Sequence, residues 1–131
     1  MPFSGQMPLK LSGAKAGAGL TVATAAYKFV KISADNTVVL CAATTDIPIG
    51  VLQAAVTATG DPVEVVVIGM TYVQADASIA AGAPIATSAD GQSQTAVATQ
   101  FVVGVAVNVA GATTAGNLLT AVVDCASPTV L

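Results

Sequence analysis

Residues 101–124 read FVVGVAVNVAGATTAGNLLTAVVD. From Phe101 to Val123 the run carries no charge, and about 20 predominantly apolar residues are enough to cross a bilayer. Parity along the chain decides what the run is. Phe101, Val103, Val105, Val107 and Val109 fall on one face, and Val102, Gly104, Ala106 and Asn108 on the other. Large residues alternating with small ones have the period of a strand, and valine at this density favours sheet over helix. Gly111, Thr113, Thr114, Gly116 and Asn117 form a turn cluster, and Leu118 to Val123 make a second strand. A membrane helix would have to bury Asn108, Asn117, Thr113, Thr114 and three glycines in one span. The stretch is read as a β-hairpin, and no membrane partner is expected.

The remainder of the chain has the same grammar. Residues 27–32 (YKFVKI) and 37–41 (TVVLC) flank Ala34-Asp35-Asn36, a hairpin signal. Residues 47–56 (IPIGVLQAAV) lead through a Thr/Gly/Asp turn into PVEVVVIGMTYV, whose apolar residues fall on both faces, as in a strand covered on both sides over Val65 to Ile68. A short strand near Pro84 to Thr87, the turn Asp90-Gly91 and a strand from Gln94 make another hairpin. Residues 49–67 and 103–123 echo each other: each runs apolar-Gly-Val, then a Thr- and Gly-bearing turn, then a Val-rich strand. No segment has a sustained helical stripe with caps. The fold class expected is all-β, a compact β-barrel or β-sandwich of short antiparallel strands with an extended N-terminal arm. Residues 1–20 form the arm and residues 21–131 the single β domain.

Charge and cysteine content narrow the function. The 131 residues are 54% hydrophobic and 8% charged, against about 25% charged in ordinary soluble domains. That length suits one domain and buries about two-thirds of the unfolded chain's surface. The four lysines (Lys10, Lys15, Lys28, Lys31) stand near the amino end, the seven acids are scattered, arginine and histidine are absent, and the net charge is −3. Nucleic-acid binding needs phosphate neutralisation and usually arginine forks, so no nucleic-acid partner is expected. Cys41 and Cys125 match no metal spacing and read as small buried hydrophobes, a disulfide between distant strands being the alternative. The beginning, MPFSGQMPLKLSGAKAGAGL, is broken by Pro, Gly and Gln and so lacks a signal-peptide core; synthesis in the cytoplasm is expected.

Chemistry is nearly silent. Without histidine the commonest general base and metal ligand are missing, and no nucleophile-elbow, P-loop or dinucleotide motif occurs. Asp61 and Glu64 are close in sequence but read as two solvated acids, and the SADGQS turn offers one carboxylate where calcium needs several oxygens. No lysine has a neighbour that would lower its pKa for Schiff-base chemistry. No enzyme activity, cofactor or metal is expected.

What stands out is the surface. Eleven charges cannot cover a domain of this size, and an uncharged surface suits a chain whose exterior is partly buried in an oligomer or on a scaffold. The arm is rich in Pro, Gly and Ala and carries Phe3, Met7 and Leu9 as apolar anchors, with Lys10 and Lys15 able to meet an acidic partner. It reads either as a loose terminus or as a strap laid on a neighbour.

The order IPIGVLQAAV, TATGDPVEVVVIG, ADASIAAGAPIATSADGQ, FVVGVAVNVAG and GNLLTAVV resembles the small capsid decoration, or cement, proteins of tailed bacteriophages. The matching positions are Gly50-Val51, Gly60 to Gly69, Ile79 to Gly91 and Gly104 to Ala106, within residues 37–124. The resemblance implies a structural protein of the virion that forms a homotrimer on the outer capsid surface, bridges major capsid proteins and stabilises the shell. It also implies synthesis in the host bacterial cytoplasm. The partner-binding residues expected are Phe3, Met7, Leu9 and Lys10 of the arm. The low charge and the two cysteines depart from the family. The alternative is a β-rich host-attachment or carbohydrate-binding module, for which Tyr27 and Tyr72 are the tyrosines able to stack on a sugar. A β-barrel carrier domain would need a lysine in a tight hairpin turn, and no lysine sits in one.

Overall fold

Short hairpins build the fold, and their turns explain their registers. The computed structural model describes residues 8–108 and 117–131. Strands β1 (Leu9–Lys10) and β2 (Lys15–Ala16) come first, followed by a single 3-10 turn at Ala23–Ala25. Next are β3 (Phe29–Ala34) and β4 (Thr37–Leu40), paired antiparallel about Asp35-Asn36. Asn36 takes φ 51° there, a left-handed conformation that asparagine tolerates. Strands β5 (Gly50–Leu52) and β6 (Val65–Gln74) pair antiparallel, as do β7 (Pro84–Thr87) and β8 (Ser93–Thr95) across Asp90-Gly91. In that turn Gly91 has φ 78°, and a Cβ on it would lie 3.2 Å from the Phe29 carbonyl oxygen. Strands β9 (Phe101–Val102), β10 (Gly104–Ala106), β11 (Leu118–Asp124) and β12 (Thr129–Val130) complete the chain.

The main sheet runs β2-β4-β3-β5-β6-β11-β10-β7-β8, with β1 added to β6; β9 and β12 form a separate pair. All its pairings are antiparallel except β2 with β4. Its β7–β8 end curls back onto the sheet, the Phe29 amide of β3 donating to the Gly91 carbonyl at 2.7 Å and the Asp76 amide, just after β6, to the Ser93 carbonyl at 2.8 Å. The expected all-β class holds, as does each hairpin pairing. The turn at residues 111–116 lies outside the described residues. Within the apolar run 47–56 the strand is Gly50–Leu52. Pro48 cannot donate to a ladder, and after the Gln53 amide bonds the Glu64 carbonyl the chain leaves the sheet.

Two apolar cores lie on opposite sides of this sheet. Phe29, Val51, Val66, Val67, Val73, Leu119, Ala121 and Val123 belong to the inner one. Val30, Val38, Leu52 and Val65 point the other way, into a second core closed by Ala14, Ala16, Leu20 and Ala25. A strand buried on both faces is what the sequence of β6 implied, and Val65, Val66 and Val67 are all buried. Cover stops at Ile68, which is 37% exposed.

The closing layer is the segment expected to be an arm. From Pro8 to Leu20 it runs along the domain's own sheet. The Leu11 amide donates to the Val65 carbonyl at 2.9 Å and the Gly17 amide to the Val38 carbonyl at 2.7 Å. Its small residues let it lie flat: a Cβ at Gly17 would sit 2.6 Å from Val39 Cγ1. Small side chains here serve close packing, and no hydrophobic period is needed to achieve it.

Candidate interaction surface

Of the four arm residues, Phe3 and Met7 lie outside the described residues. Leu9 stands on β1 opposite Ile68 and is exposed. Lys10 Nζ pairs with Glu64 Oε1 at 3.0 Å, both side chains about half exposed, so its charge is already met within the chain. Lys15 is exposed on β2.

Other groups singled out by the sequence have structural employment. Asp61 and Glu64 do come together, on a cleft of about 260 Å3 lined also by Ala54, Val56 and Pro62. Asp61 Oδ2 accepts the Ala58 amide at 2.9 Å and Glu64 holds Lys10, so both carboxylates are engaged within the chain. In the SADGQS turn, Ser88 Oγ accepts the Asp90 amide at 3.2 Å. Cys41 and Cys125 are free thiols buried in the inner core. Burial pushes the Cys41 thiol up to about 12, against a hydrogen bond with Thr87, and burial likewise pushes Cys125 up to about 12; thiols held protonated are poor nucleophiles. Among the described residues no group of three or more metal-ligating side chains converges, and no helix is long and apolar enough to cross a membrane.

The Lys31–Asp46 pair pins the loop after β4. Asp46 Oδ2 accepts from Lys31 Nζ at 2.8 Å and from the Ala42 and Ala43 amides at 2.8 and 3.0 Å. Burial pushes the Asp46 carboxyl upward, but these donors outweigh it and hold the group below its ordinary value. The bond to Asp46 raises Lys31.

A different region has the character of a contact surface. In β10 and β11 the inward residues are Ala106, Leu119, Ala121 and Val123, all buried. The outward ones are Val105 (45% exposed), Leu118 (40%) and Val122 (47%), and Val107 just beyond β10 is 46% exposed. Register joins them into one face. Val105 lies opposite Val122, which lies opposite Met70; Thr120 lies opposite Tyr72, and Asp124 opposite Ile68. The large-residue side of the alternation thus points out and alanine points in. Alternation was visible in the sequence; its direction was not, because it depends on a break at Val103. There the chain passes from the small β9–β12 pair to the main sheet, and Val103 turns inward and is buried.

Tyr27 marks the upper margin of this face. Its ring packs edge-on to Tyr72, centroids 5.8 Å apart and planes at 82°. Its backbone has φ 65°, an outlier for a bulky residue. The Tyr27 amide, bonded to the Leu52 carbonyl at 2.6 Å, and its carbonyl, bonded to the Gln74 amide at 2.9 Å, hold it there. Beside it Gln74 is buried, Nε2 donating to the Thr24 and Ala26 carbonyls at 2.8 and 2.7 Å while Oε1 accepts from Gln92.

The class so defined is an all-β domain whose curved sheet is covered on its outer face by the chain's own amino-terminal segment. A solved structure of this fold is the N base of the head fiber gp8.5 of bacteriophage phi29. It is 21% identical, with a TM-score of 0.60, over 95% of this chain and 98% of that one. No protein-family model matches the chain, and no curated protein matches its sequence.

Proposed function

We propose that the chain is a structural protein of a bacteriophage head, a decoration or cement protein. It binds the outer capsid surface as a homotrimer and stabilises the shell by bridging major capsid proteins. The observation that carries this reading is the likeness, over nearly the full length of both chains, to the base of a phage head fiber. An apolar outer face and the absence of a catalytic constellation among the described residues agree with it. Many weak contacts multiplied by several copies give avidity without a strong single site.

In this reading the arm straps the capsid with Phe3 and Met7 as anchors. Leu9 and Lys10 would add contacts at its base. Since Leu11 packs against both cores, a truncation testing the arm must stop before Pro8. The decisive experiment measures the mass of the purified protein and its co-sedimentation with emptied phage heads. A trimer that pellets with heads is the expected result. A protein that pellets with no head preparation sinks the capsid reading, and a chain lacking residues 1–7 that pellets undiminished sinks the arm. The carbohydrate-binding alternative rests on Tyr27 and Tyr72. Their edge-to-face packing occupies part of the ring surface that a sugar would stack on, and a glycan array is its test.

A further inference from the structure

Half of the outer sheet face is closed by the chain itself. Over β3 to β5, Val30, Val38 and Leu52 are buried beneath residues 14–25. Past the Tyr27–Tyr72 pair the same face stays open, with Ile68, Leu118, Val122, Val105 and Val107 exposed around a half-buried Met70. We infer that in the free protein residues 1–7 fold back over this second half, seating Phe3 and Met7 on β6, β11 and β10 of their own chain. The inference goes beyond the capsid reading: it says where the arm is held before a head is met.

Area argues against a larger occupant. The exposed fractions of those five side chains amount to roughly 400 Å2, so two copies face to face would bury less than about 1,000 Å2, short of a specific interface. A short segment can cover a patch of that size. Position singles out the amino-terminal one. Leu9 lies opposite Ile68 and Lys10 opposite Val66, so stepping back along the chain moves up β6 towards Met70. Pro8 has already reached Gly69, where a Cβ would lie 2.8 Å from Pro8 Cβ. Residue 7 is therefore delivered to the rim of the open face. Reach suffices, since seven extended residues span about 23 Å and β6 to β10 is two strand spacings, about 10 Å. Chemistry matches as well. In MPFSGQM the odd positions are Met1, Phe3, Gly5 and Met7, and the even ones are Pro2, Ser4 and Gln6. An extended chain of this pattern turns one apolar, uncharged side to the sheet, and methionine sulfur packs favourably near an aromatic ring such as Tyr72. A segment tethered at the rim has an effective concentration of about millimolar order, so weak contacts are enough to hold it.

The chain has no tryptophan, so Phe3→Trp reports the seat directly. The expected result for F3W is blue-shifted emission and weak acrylamide quenching, unchanged across a dilution series and both lost in F3W/V105E/V122E. Circular dichroism confirms folding. Water-exposed emission from F3W overturns the inference. So does shielding that survives V105E/V122E, which puts the arm elsewhere, or shielding that fades on dilution, which makes it a neighbouring copy's arm. Should the glutamate variant fail to fold, Val122→Cys is treated with N-ethylmaleimide in chains with and without residues 1–7. Buried Cys41 and Cys125, their thiols held protonated, stay unreactive. Removing residues 1–7 should speed the labelling of V122C several-fold and leave Ser33→Cys, at an exposed site of β3, unchanged. Equal rates for V122C in the two chains, or a like change at S33C, defeat the inference. None of these outcomes touches the capsid reading, which is decided by co-sedimentation with heads.

Discussion

The covered and bare halves of the sheet are built from nearly the same residues. On the β3–β5 side, Val30, Val38 and Leu52 face outward and are fully buried; on the β10–β11 side, Val105, Leu118 and Val122 face outward and are 40–47% exposed. The difference lies in what the chain places above them. Residues 14–25 bring Ala14, Ala16, Leu20 and Ala25 to the first half and end at Tyr27. Sequence pattern alone therefore does not distinguish a strand buried on both faces from one exposed on its outer face; the path of a neighbouring segment does. The sequence echo sharpens the point. Gly50 and Gly104 each precede a valine of a short strand, and a Cβ on either would come within 2.5 Å of a carbonyl oxygen across the pair, of Val66 and Val122 respectively. Yet Leu52 points outward beneath its cover while its counterpart Ala106 points inward. The two hairpins are alike in sequence and opposite in which face they bury.

Removing the cover's anchor should have the largest effect. Leu20→Ala empties a fully buried site and is expected to cost about 3 kcal/mol, within the range for buried leucine truncations, read by urea unfolding. A loss below about 0.5 kcal/mol, the size of an ordinary surface change, would show the cover to be loosely held. Gly104→Ala comes next. Its Cβ must displace the Val122 carbonyl or tilt β10 away from β11, at about 1–3 kcal/mol, read by urea unfolding.

Asp46→Ala removes the acceptor of two amides and Lys31, on the covered side, for about 1–2 kcal/mol. Its pH dependence has a definite sign. A carboxyl held below its ordinary value stabilises the fold above about pH 4 and loses that contribution as pH falls through the lowered value. The stability gap between wild type and variant should therefore close in acid. Val122→Thr should have the smallest effect, within about 0.5 kcal/mol for an exposed β-branched swap, read by urea unfolding. A large loss of stability would mean that Val122 is packed into the chain's core.

Much of the sheet was legible because turns announce themselves. Asp35-Asn36 and Asp90-Gly91 fixed two hairpins through residues that accept left-handed backbone, and the Val-rich runs placed β6 and β11. The amino-terminal layer was not legible. It is held by alanine and glycine fitting against strands, with Leu20 as its main large anchor, so it lacks the alternation that marks a strand. The exposed face of β10 and β11 was half legible: the alternation of Val105, Ala106 and Val107 was plain, but inside and outside could be told apart only once the inner core was seen to hold Ala106 and Ala121. Leu9 and Lys10 read as arm residues because nothing in their sequence predicts the pairing of β1 with β6.

An exterior with so few charges makes the folded state answerable to mass action. Ligation by another copy stabilises whatever conformation binds it, in proportion to the logarithm of the free concentration. In the trimer proposed above the ligand is the chain itself, so its melting temperature should climb as the solution is concentrated and fall on dilution. The same dependence would make the protein most robust where copies are densest.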